Sequence, residues 1–354
     1  MKKIGLLLLF TFQITQAQIA RNYSNEFLNI GVDAASFGMG KAVNAISNDV
    51  NAIYWNPAGL VNLEDSQASI MHAEYFQGIA KYDYAAFAKP IDGESAVAIS
   101  FIRFSVDDIL NTTELIDSNG NINFNRVSKF NAADMALNLA FAKHQLLKNF
   151  DVGFNAKIIH RRIGDFANSW GFGLDLGLQY QTENYKLGLM LRDITTTFNA
   201  WSIDSDAFAR ISNAIPGQNN EAPETLELTK PKAQFGISRV FEFGHDFKLT
   251  TEIDLNMRFL KTNDIISTSF VSIDPAAGFQ LAYTDMVYLR AGVNNFQQHQ
   301  NIDSSKSLSL EPSFGVGFKY NGIQVDYALT NIGNASGTLY SNIFSVKLDF
   351  GAFR

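Results

Sequence analysis

The sequence of 354 residues has no cysteine, few charged residues (18%) and no apolar run long enough to form a membrane-spanning helix. Without cysteine there is no disulfide, no thiolate nucleophile and no cysteine-ligated metal. A transmembrane helix needs about 18 or more apolar residues in succession, and the longest such stretch here is residues 4–12. With 28 Lys and Arg against 35 Asp and Glu, the net charge is -7, and no long basic run compensates, which argues against nucleic acid as a partner.

The amino terminus has the pattern of a secretory signal peptide. Lys2 and Lys3 precede the apolar stretch 4–12, and Thr15 and Ala17 place small residues three and one before a cleavage position. We therefore expect a signal peptide over residues 1–17 and a mature chain that begins near residue 18. Because no cysteine follows the cleavage position, a lipoprotein anchor is excluded, and the predicted context is the envelope of a Gram-negative cell. The lysines disfavour the alternative of a buried amino-terminal strand.

From residue 66 onward the sequence alternates apolar and polar residues with the period of a β-strand. In residues 170–180 every second residue from Trp170 to Tyr180 is apolar, whereas the residues between them are Gly, Asp and Gln. Most segments have the 9 to 11 residues that a tilted strand needs to cross a bilayer. Fourteen such segments are predicted, at 66–74, 79–89, 94–104, 131–143, 150–161, 169–181, 185–192, 232–241, 247–259, 275–284, 286–294, 312–320, 323–330 and 341–350.

The connections between these segments alternate in length. Tight turns follow the even-numbered segments, and Asn321-Gly322 is a strong hairpin dipeptide. Longer loops follow the odd-numbered ones, above all residues 105–130, 193–231 and 295–311. Short turns on one side and long loops on the other are typical of outer-membrane barrels. Residues 66–354 are therefore predicted to form an all-β, 14-stranded antiparallel transmembrane β-barrel in the outer membrane; a soluble β-sandwich or a solenoid is the competing interpretation.

In such a barrel, Phe, Leu, Ile and Val face lipid, and Tyr and Trp form girdles near the strand ends. The lumen is predicted to receive Gly, Ser, Asn, Gln and charges of both signs. Interspersed signs favour a structural network of mutually neutralising pairs over catalysis or a channel lining. The charges assigned to this network are Asp134, Asp151, Lys157, Asp175, Glu252, Asp254, Arg258, Arg290, Lys319 and Asp326.

Residues 18–65 do not alternate and are predicted to form a plug inside the barrel. Small residues and glycines allow close approach of backbones, and Asn-Pro favours a turn. Two motifs stand out in this segment, a G-M-G-x-A stretch and a later Y-W-N-P-A-G-L stretch. The residues assigned to the plug motif are Gly38, Met39, Gly40, Trp55, Asn56, Pro57, Ala58 and Gly59.

These two motifs, ahead of a 14-strand pattern, resemble the FadL-like superfamily of outer-membrane barrels. The lead-in F-L-N-I-G-V-D-A-A-S-F-G-M-G and the asparagine-rich composition are most similar to the PorV/PorQ family of type IX secretion. The resemblance implies a barrel without catalysis that binds the carboxy-terminal signal domains of secreted cargo, or the secretion translocon barrel. Barrels of the wider superfamily instead carry hydrophobic molecules through a lateral opening. The Y-W-N-P-A-G-L stretch is closer to the generic superfamily form than to a main PorV shuttle, which points to a paralogue.

Other chemistry is poorly supported by the sequence. The five histidines stand alone, so we expect no metal site, and no serine motif lies near a histidine, so we expect no enzyme. Gly38 and Gly40 resemble the start of a dinucleotide loop, but no strand precedes them and no ribose-binding acid is placed after them. Residues 117–123 offer oxygens for calcium but lack the final acid of a calcium loop, so a polar hairpin tip is preferred. No cofactor is predicted.

The long outer loops are the candidate sites of partner contact, because loops displayed on a rigid scaffold often carry binding. The loop 193–231 is rich in apolar side chains that either pack on the barrel rim or dock a partner. Its candidate contact residues are Phe198, Trp201, Ile203, Phe208 and Ile211. Two functions follow: a protein-binding barrel of type IX secretion, with a sealed lumen and an apolar outer mouth, or a transporter of hydrophobic small molecules, with an apolar path past the plug. Outer-membrane lipid is a partner in both.

Overall fold

A computed structural model describes residues 24–76, 78–116, 120–214, 225–300, 305–330 and 341–353; the predicted signal peptide over residues 1–17 lies outside them. The chain is built almost wholly from strands. The strands are β1 (Gln67–Tyr75), β2 (Ala80–Pro90), β3 (Ser95–Asn111), β4 (Ser128–Leu147), β5 (Phe150–Ile163), β6 (Ala167–Gln181), β7 (Lys186–Arg192), β8 (Thr197–Ile203), β9 (Leu226–Thr229), β10 (Lys232–Phe243), β11 (Phe247–Arg258), β12 (Ile266–Ser267), β13 (Ser272–Tyr283), β14 (Val287–Gln300), β15 (Lys306–Tyr320), β16 (Ile323–Thr330) and β17 (Ser341–Asp349).

The helices are short. The α-helices are α1 (Ala34–Gly38), α2 (Ala52–Trp55) and α3 (Ser205–Ala214), and the 3-10 helices cover Glu26–Asn29, Pro57–Asn62, Phe124–Arg126 and Phe350–Phe353. None of the helices in the described part of the chain is long and apolar enough to span a membrane.

The strands close into one antiparallel barrel, because β1 pairs with both β2 and β17. The wall has 14 strand positions: β7 and β8 are successive segments of one wall strand, β9 and β10 are segments of the next, and β12 pairs only with the end of β13. Closure pairs the backbone groups around the ring, which is how strands satisfy their hydrogen bonds in hydrocarbon. The predicted 14-stranded antiparallel barrel is confirmed, and the β-sandwich and the solenoid are excluded.

The outer surface of the wall is apolar. On β15, for example, Phe314, Val316 and Phe318 are each at least half exposed, while Gly315 and Gly317 between them point inward. A soluble protein of this size would bury such side chains, whereas a lipid-facing band exposes them. The chain is thus a multi-pass β-barrel of the outer membrane.

Several strands extend further outward than the sequence indicates, so the predicted long loops are partly wrong. β3 continues to Asn111 and β4 begins at Ser128, and the predicted loop 295–311 is largely the extended ends of β14 and β15. A bulge between Val106 and Ile109, with Asp108 at φ 57°, breaks the period-2 pattern. Beyond the bilayer, outward positions no longer need to be apolar, which removes the signal that the prediction used.

The residues before β1 fold inside the ring. The segment from Ser24 to residue 65, here called the plug, carries the first four short helices, and its apolar side chains are almost all buried. Its helix α1 packs against β14 to β17, and its Pro57–Asn62 helix packs against β3 to β6. The plug therefore contacts opposite sides of the wall and fills the middle of the lumen.

The lipid-facing band predicts a depth-dependent effect of charge. Val316→Arg, near the middle of the band on β15, should lower the free energy of unfolding by about 2 to 4 kcal/mol, because the arginine enters hydrocarbon. Leu308→Arg, on the same strand and face but at its outer end, should cost about 1 kcal/mol or less. Urea titration of the barrel folded into lipid vesicles measures both. Equal losses at the two positions would contradict the placement of the band.

Candidate functional site

The first plug motif touches the wall backbone to backbone. Gly38 lies against Gly315 of β15, and the carbonyl of Met39 and the amide of Gly40 lie against Gly292 of β14. A Cβ on Gly292 would overlap these plug atoms, and Gly40 itself has a φ of +62°, a conformation that favours glycine. The motif and the inward-facing wall glycines are therefore two halves of one contact.

The second motif makes the same kind of contact on the opposite side. Pro57 and Ala58 lie directly on Gly153 of β5, where a Cβ would overlap the carbonyl carbon of Pro57, and Asn56 lies on Gly177 of β6. Gly59 makes its close approach to the carbonyl of Ser47, within the plug. The sequence indicated the plug motif but gave no sign of its wall partners, since glycines that alternate along a strand look the same whether they face water or another backbone.

Asn56 and Trp55 hold the plug in shape. The Asn56 side chain caps the Pro57–Asn62 helix by accepting from the Ala58 amide, and its Nδ2 donates to Asn44 and to the wall carbonyl of Leu178 at 2.9 and 3.1 Å. The Trp55 Nε1 donates to the Val32 carbonyl at 3.1 Å. These bonds satisfy polar groups that are fully buried, as a plug without solvent requires.

A third contact fixes the plug through hydrogen bonds to two acidic side chains of the wall. Glu252 and Asp254 project inward from β11, and both are buried. Their carboxylates accept four successive plug amides, those of Val43, Asn44, Ala45 and Ile46, at 2.6 to 3.2 Å. Successive backbone N–H groups form a concavity that binds acceptor oxygens, and here the wall supplies those oxygens.

The prediction of mutually neutralising lumen pairs is therefore wrong for Glu252 and Asp254. They have no cationic partner within 4.0 Å among the described residues; their donors are plug amides, which sequence alternation does not reveal. Other members of the predicted network do pair as expected. Lys157 pairs with Asp175 and Arg290 with Asp326, both at 2.7 Å. Asp134 pairs at 2.8 Å with Arg161, which is not among the predicted residues.

The lumen also has an apolar side, contrary to the expectation of a uniformly polar interior. Met71 and Tyr75 of β1, Tyr82 and Tyr84 of β2, and Ile102 of β3 point inward and are buried against the plug. The hydroxyls of the three tyrosines have no hydrogen-bond partner within the described part of the chain. Inward alanines on the same strands, such as Ala86 and Ala98, leave room for the plug side chains.

The wall is interrupted in its outer half. Between Arg192, the last residue of β7, and Thr197, the first of β8, Asp193 and Thr196 both have a positive φ. On the neighbouring strand β6, residues 173–175 fall between the stretch paired with β7 and the stretch paired with β8. The regular ladder of backbone hydrogen bonds is replaced there by isolated hydrogen bonds, such as the one that the Ile194 amide donates to the Leu174 carbonyl at 2.9 Å.

A buried lysine closes this interruption from the inside. The Lys157 Nζ bridges Asp175 at 2.7 Å and Asp193 at 2.5 Å, and Thr197 also donates to Asp193. Leu28 and Ile102 lie beside this cluster and continue the apolar side of the lumen up to it. The break in the wall is thus sealed by side-chain charges rather than by backbone pairing.

A cavity lies on each side of the plug. The one on the side of the short turns has a volume of about 410 Å³ and is lined by polar groups that include Asp49, Lys186 and Lys347. The one on the outer side has a volume of about 310 Å³ and is lined by Lys41, Arg192, Lys232 and Arg258, among others. Among the described residues, no group of three or more His, Asp or Glu side chains could hold a metal ion.

The predicted partner-contact residues do not lie on a loop. Phe198 lies on β8 and is 43% exposed on the outer wall, whereas Trp201 of the same strand packs under the Arg161 guanidinium, 5.2 Å from its ring centre. Ile203 ends β8 and is half-buried, as is Phe208 on α3. The side chain of Ile211 and part of the candidate calcium loop, residues 117–119, lie outside the described residues. The prediction missed β8, α3 and β9 because the interruption at residues 193–196 hides the continuation of the strand.

Comparison with known proteins places the fold. No family model matches the sequence, and a search of curated proteins returns no related sequence. Solved structures do match over nearly the whole chain. They include a Pseudomonas aeruginosa FadL homologue (12% identity, 90% of this chain and 98% of that chain, TM-score 0.50), the monoaromatic hydrocarbon channel CymD (13%, 91% and 98%, TM-score 0.53) and the P. putida toluene transporter TodX (13%, 90% and 99%, TM-score 0.52).

The closed 14-stranded wall and these matches define the chain as an outer-membrane barrel with the fold of the FadL-type barrels. The similarity is one of fold and covers about 90% of this chain. The finer resemblance to the PorV/PorQ family stays a prediction.

The plug contacts predict the effect of a single methyl group. Gly153→Ala should destabilise the folded barrel by several kcal/mol, because the new Cβ overlaps the Pro57 backbone, which cannot move like a side chain. Gly93→Ala is the matched control, since nothing lies within 4 Å of the added Cβ. Urea midpoints of the two variants in the same vesicles are compared. A Gly153→Ala variant as stable as Gly93→Ala would show that the plug does not press on β5.

A second prediction concerns pH. Burial, together with the nearby Asp326 carboxylate, raises the pKa of Asp33 in the plug from 3.8 to about 6. The folded state then binds a proton that the unfolded state releases, so stability should rise by about 2 kcal/mol as pH falls from about 7.5 to about 4.5. Asp33→Asn should remove this part of the pH dependence of the free energy of unfolding. Compared with wild type, the variant should therefore be more stable at about pH 7.5 than at about pH 4.5. A constant difference between wild type and variant at both pH values would refute the shift.

Proposed function

We propose that this chain is a passive, non-enzymatic transport barrel that admits small hydrophobic molecules across the outer membrane, and that they leave the lumen through the wall interruption at residues 193–196. The observation that carries the proposal is the break in backbone pairing between β6 and the β7–β8 strand. It is the place where the wall is held by side chains, so it can open without breaking a run of ladder bonds.

The lumen beside the break supports this route. The apolar side formed by β1 to β3 reaches the break at Ile102 and Leu28, so a hydrophobic solute would not cross open water on its way. In the structure the space next to the break is almost closed, with a volume of about 10 Å³. Passage therefore requires the Lys157 bridge to part from Asp193 and the top of the plug, near Leu28, to shift.

The solved structures with this fold point the same way. Two of them are described as a monoaromatic hydrocarbon channel and a toluene transporter. Their identity to this chain is low, so they support the class of solute rather than any particular compound. Toluene is accordingly the first probe.

A disulfide across the break tests the route, and the absence of native cysteine makes the engineered pair unique. Leu174→Cys with Ile194→Cys joins the two residues whose backbones bridge the interruption. Uptake of radiolabelled toluene is measured in a Gram-negative host without its own hydrocarbon barrel. The oxidised pair should reduce this uptake by about tenfold, and a reductant should restore it. The control pair, Leu281→Cys with Leu289→Cys, links directly opposite outward positions of β13 and β14, where the wall is continuous, and should have no effect. The proposal would be overturned if the first disulfide left toluene uptake unchanged, or if cells with the barrel took up no more toluene than cells of the empty host.

The second candidate function is a protein-binding barrel of type IX secretion, as the family resemblance implies. The β3–β4 hairpin favours it, because its residues beyond Val106 and Ala132 stand past the ends of β2 and β5. Ile116, Ile122 and Phe124 near its tip are 57 to 75% exposed, which is unusual for a hairpin in water. These three side chains are the candidate surface for a translocon barrel or for cargo carboxy-terminal signal domains.

This candidate predicts specific copurification. The tagged barrel, extracted from native outer membranes in mild detergent, should recover a translocon barrel or proteins with carboxy-terminal secretion domains. The triple variant Ile116→Ser, Ile122→Ser and Phe124→Ser should lose them, whereas Phe270→Ser, an equally exposed residue between β12 and β13, should not. Recovery of the barrel with lipid alone would eliminate this candidate.

A further inference from the structure

Three cations stand side by side on the inner wall. Arg192 of β7 is the direct cross-strand partner of Lys232 of β10, and Lys232 is the direct partner of Arg258 of β11. All three line the outer cavity of about 310 Å³. Like charges placed directly opposite each other destabilise a sheet, and partly buried cations add a desolvation penalty. A row of this kind calls for a compensating negative charge.

The protein supplies that charge only in part. Arg258 pairs with Asp264 at 3.2 Å, but Arg192 is held by neutral acceptors, the Gln234 Oε1 and the Tyr54 carbonyl, both at 2.8 Å. Lys232 has no ion pair within 4.0 Å among the described residues. No carboxylate of the described residues is therefore in ion-pair contact with the middle of the row or with its Arg192 end, and Glu26 and Asp193 attract Lys232 only from beyond 4.0 Å.

Three carboxylates line the same cavity, but none of them is in ion-pair contact with Arg192 or Lys232. Asp274 lies on β13 and accepts from the Phe296 amide, and Glu311 lies on β15 and accepts from Asn295. Both are on strands beyond Arg258. Glu26 lies on the plug and accepts from Asn29. Lys41 of the plug also lines the cavity. The positive charge is thus concentrated on the β7, β10 and β11 side, next to the ring of Tyr54, over which the Arg192 guanidinium lies at 4.6 Å.

We propose that the outer cavity binds the anionic group of a small solute, a carboxylate or a phosphate, on the Arg192–Lys232–Arg258 row. The ammonium of Lys232 supplies the free donors, Arg192 and Arg258 supply flanking charge, and Tyr54 offers a ring for an apolar part of the solute. The volume is at the lower end of the range for small-molecule pockets, so the ligand is of the size of benzoate or inorganic phosphate. The proposal does not depend on the transport route above, since binding is measured without transport.

Calorimetric titration of the purified full-length barrel in an uncharged detergent tests it, with inorganic phosphate and benzoate as the two probes in Tris buffer of low ionic strength. At least one probe should bind saturably, and the Kd should rise with added salt. Lys232→Gln should weaken that binding by about tenfold or more, because it removes the central charge of the row. A preference for benzoate would assign the ring of Tyr54 to the site, and a preference for phosphate would assign the charge row alone.

The matched control is Lys186→Gln, which removes a lysine from the same strand as Arg192 but from the cavity on the other side of the plug. It should leave the Kd unchanged within about twofold. Heat-modifiable migration on gels confirms that both variants are folded. The proposal is overturned if neither anion binds below about 10 mM, if Lys232→Gln binds as wild type does, or if Lys186→Gln weakens binding equally.

Discussion

The rest of the structure depends on one constraint, that backbone polar groups must find partners where water does not reach them. In the wall this constraint is met by closing the ring between β1 and β17. In the lumen it is met by the wall itself, because Glu252 and Asp254 accept four successive amides of the plug. These oxygens need no cationic partner, since the successive amides supply the positive ends of the dipoles.

Close packing between plug and wall follows from the same requirement. A plug that hydrogen-bonds to wall side chains and carbonyls must approach the strands closely, and Gly153 and Gly292 permit this where any side chain would overlap the plug backbone. The lumen is then divided into an apolar side around Tyr82 and Tyr84 and a charged side on β10 to β16. A solute path that passes a fixed plug would follow the apolar side, and a bound anion would occupy the charged one.

The wall interruption and the basic row lie next to each other, with Arg192 and Asp193 as neighbours in sequence. Arg192 faces the outer cavity, and Asp193 belongs to the charge cluster that seals the break. Both features break a local rule, regular pairing in the first case and charge complementarity across strands in the second. Departures of this kind are expected where a fold is adapted to bind or move something, because elsewhere they only destabilise it.

The sequence by itself determined the 14 strands and their facing, since a strand with lipid on one side must alternate at every second residue; the segment 323–330 agrees with β16 to the residue. It also indicated the plug motif through residues such as Asn56 and Gly40. Only the tertiary structure decided the partners: that Glu252 binds amides rather than a cation, that Gly153 faces Pro57, and that Lys232 falls between two arginines. Those facts depend on strand register and on where the plug docks, which join residues far apart in sequence and leave no trace in local periodicity.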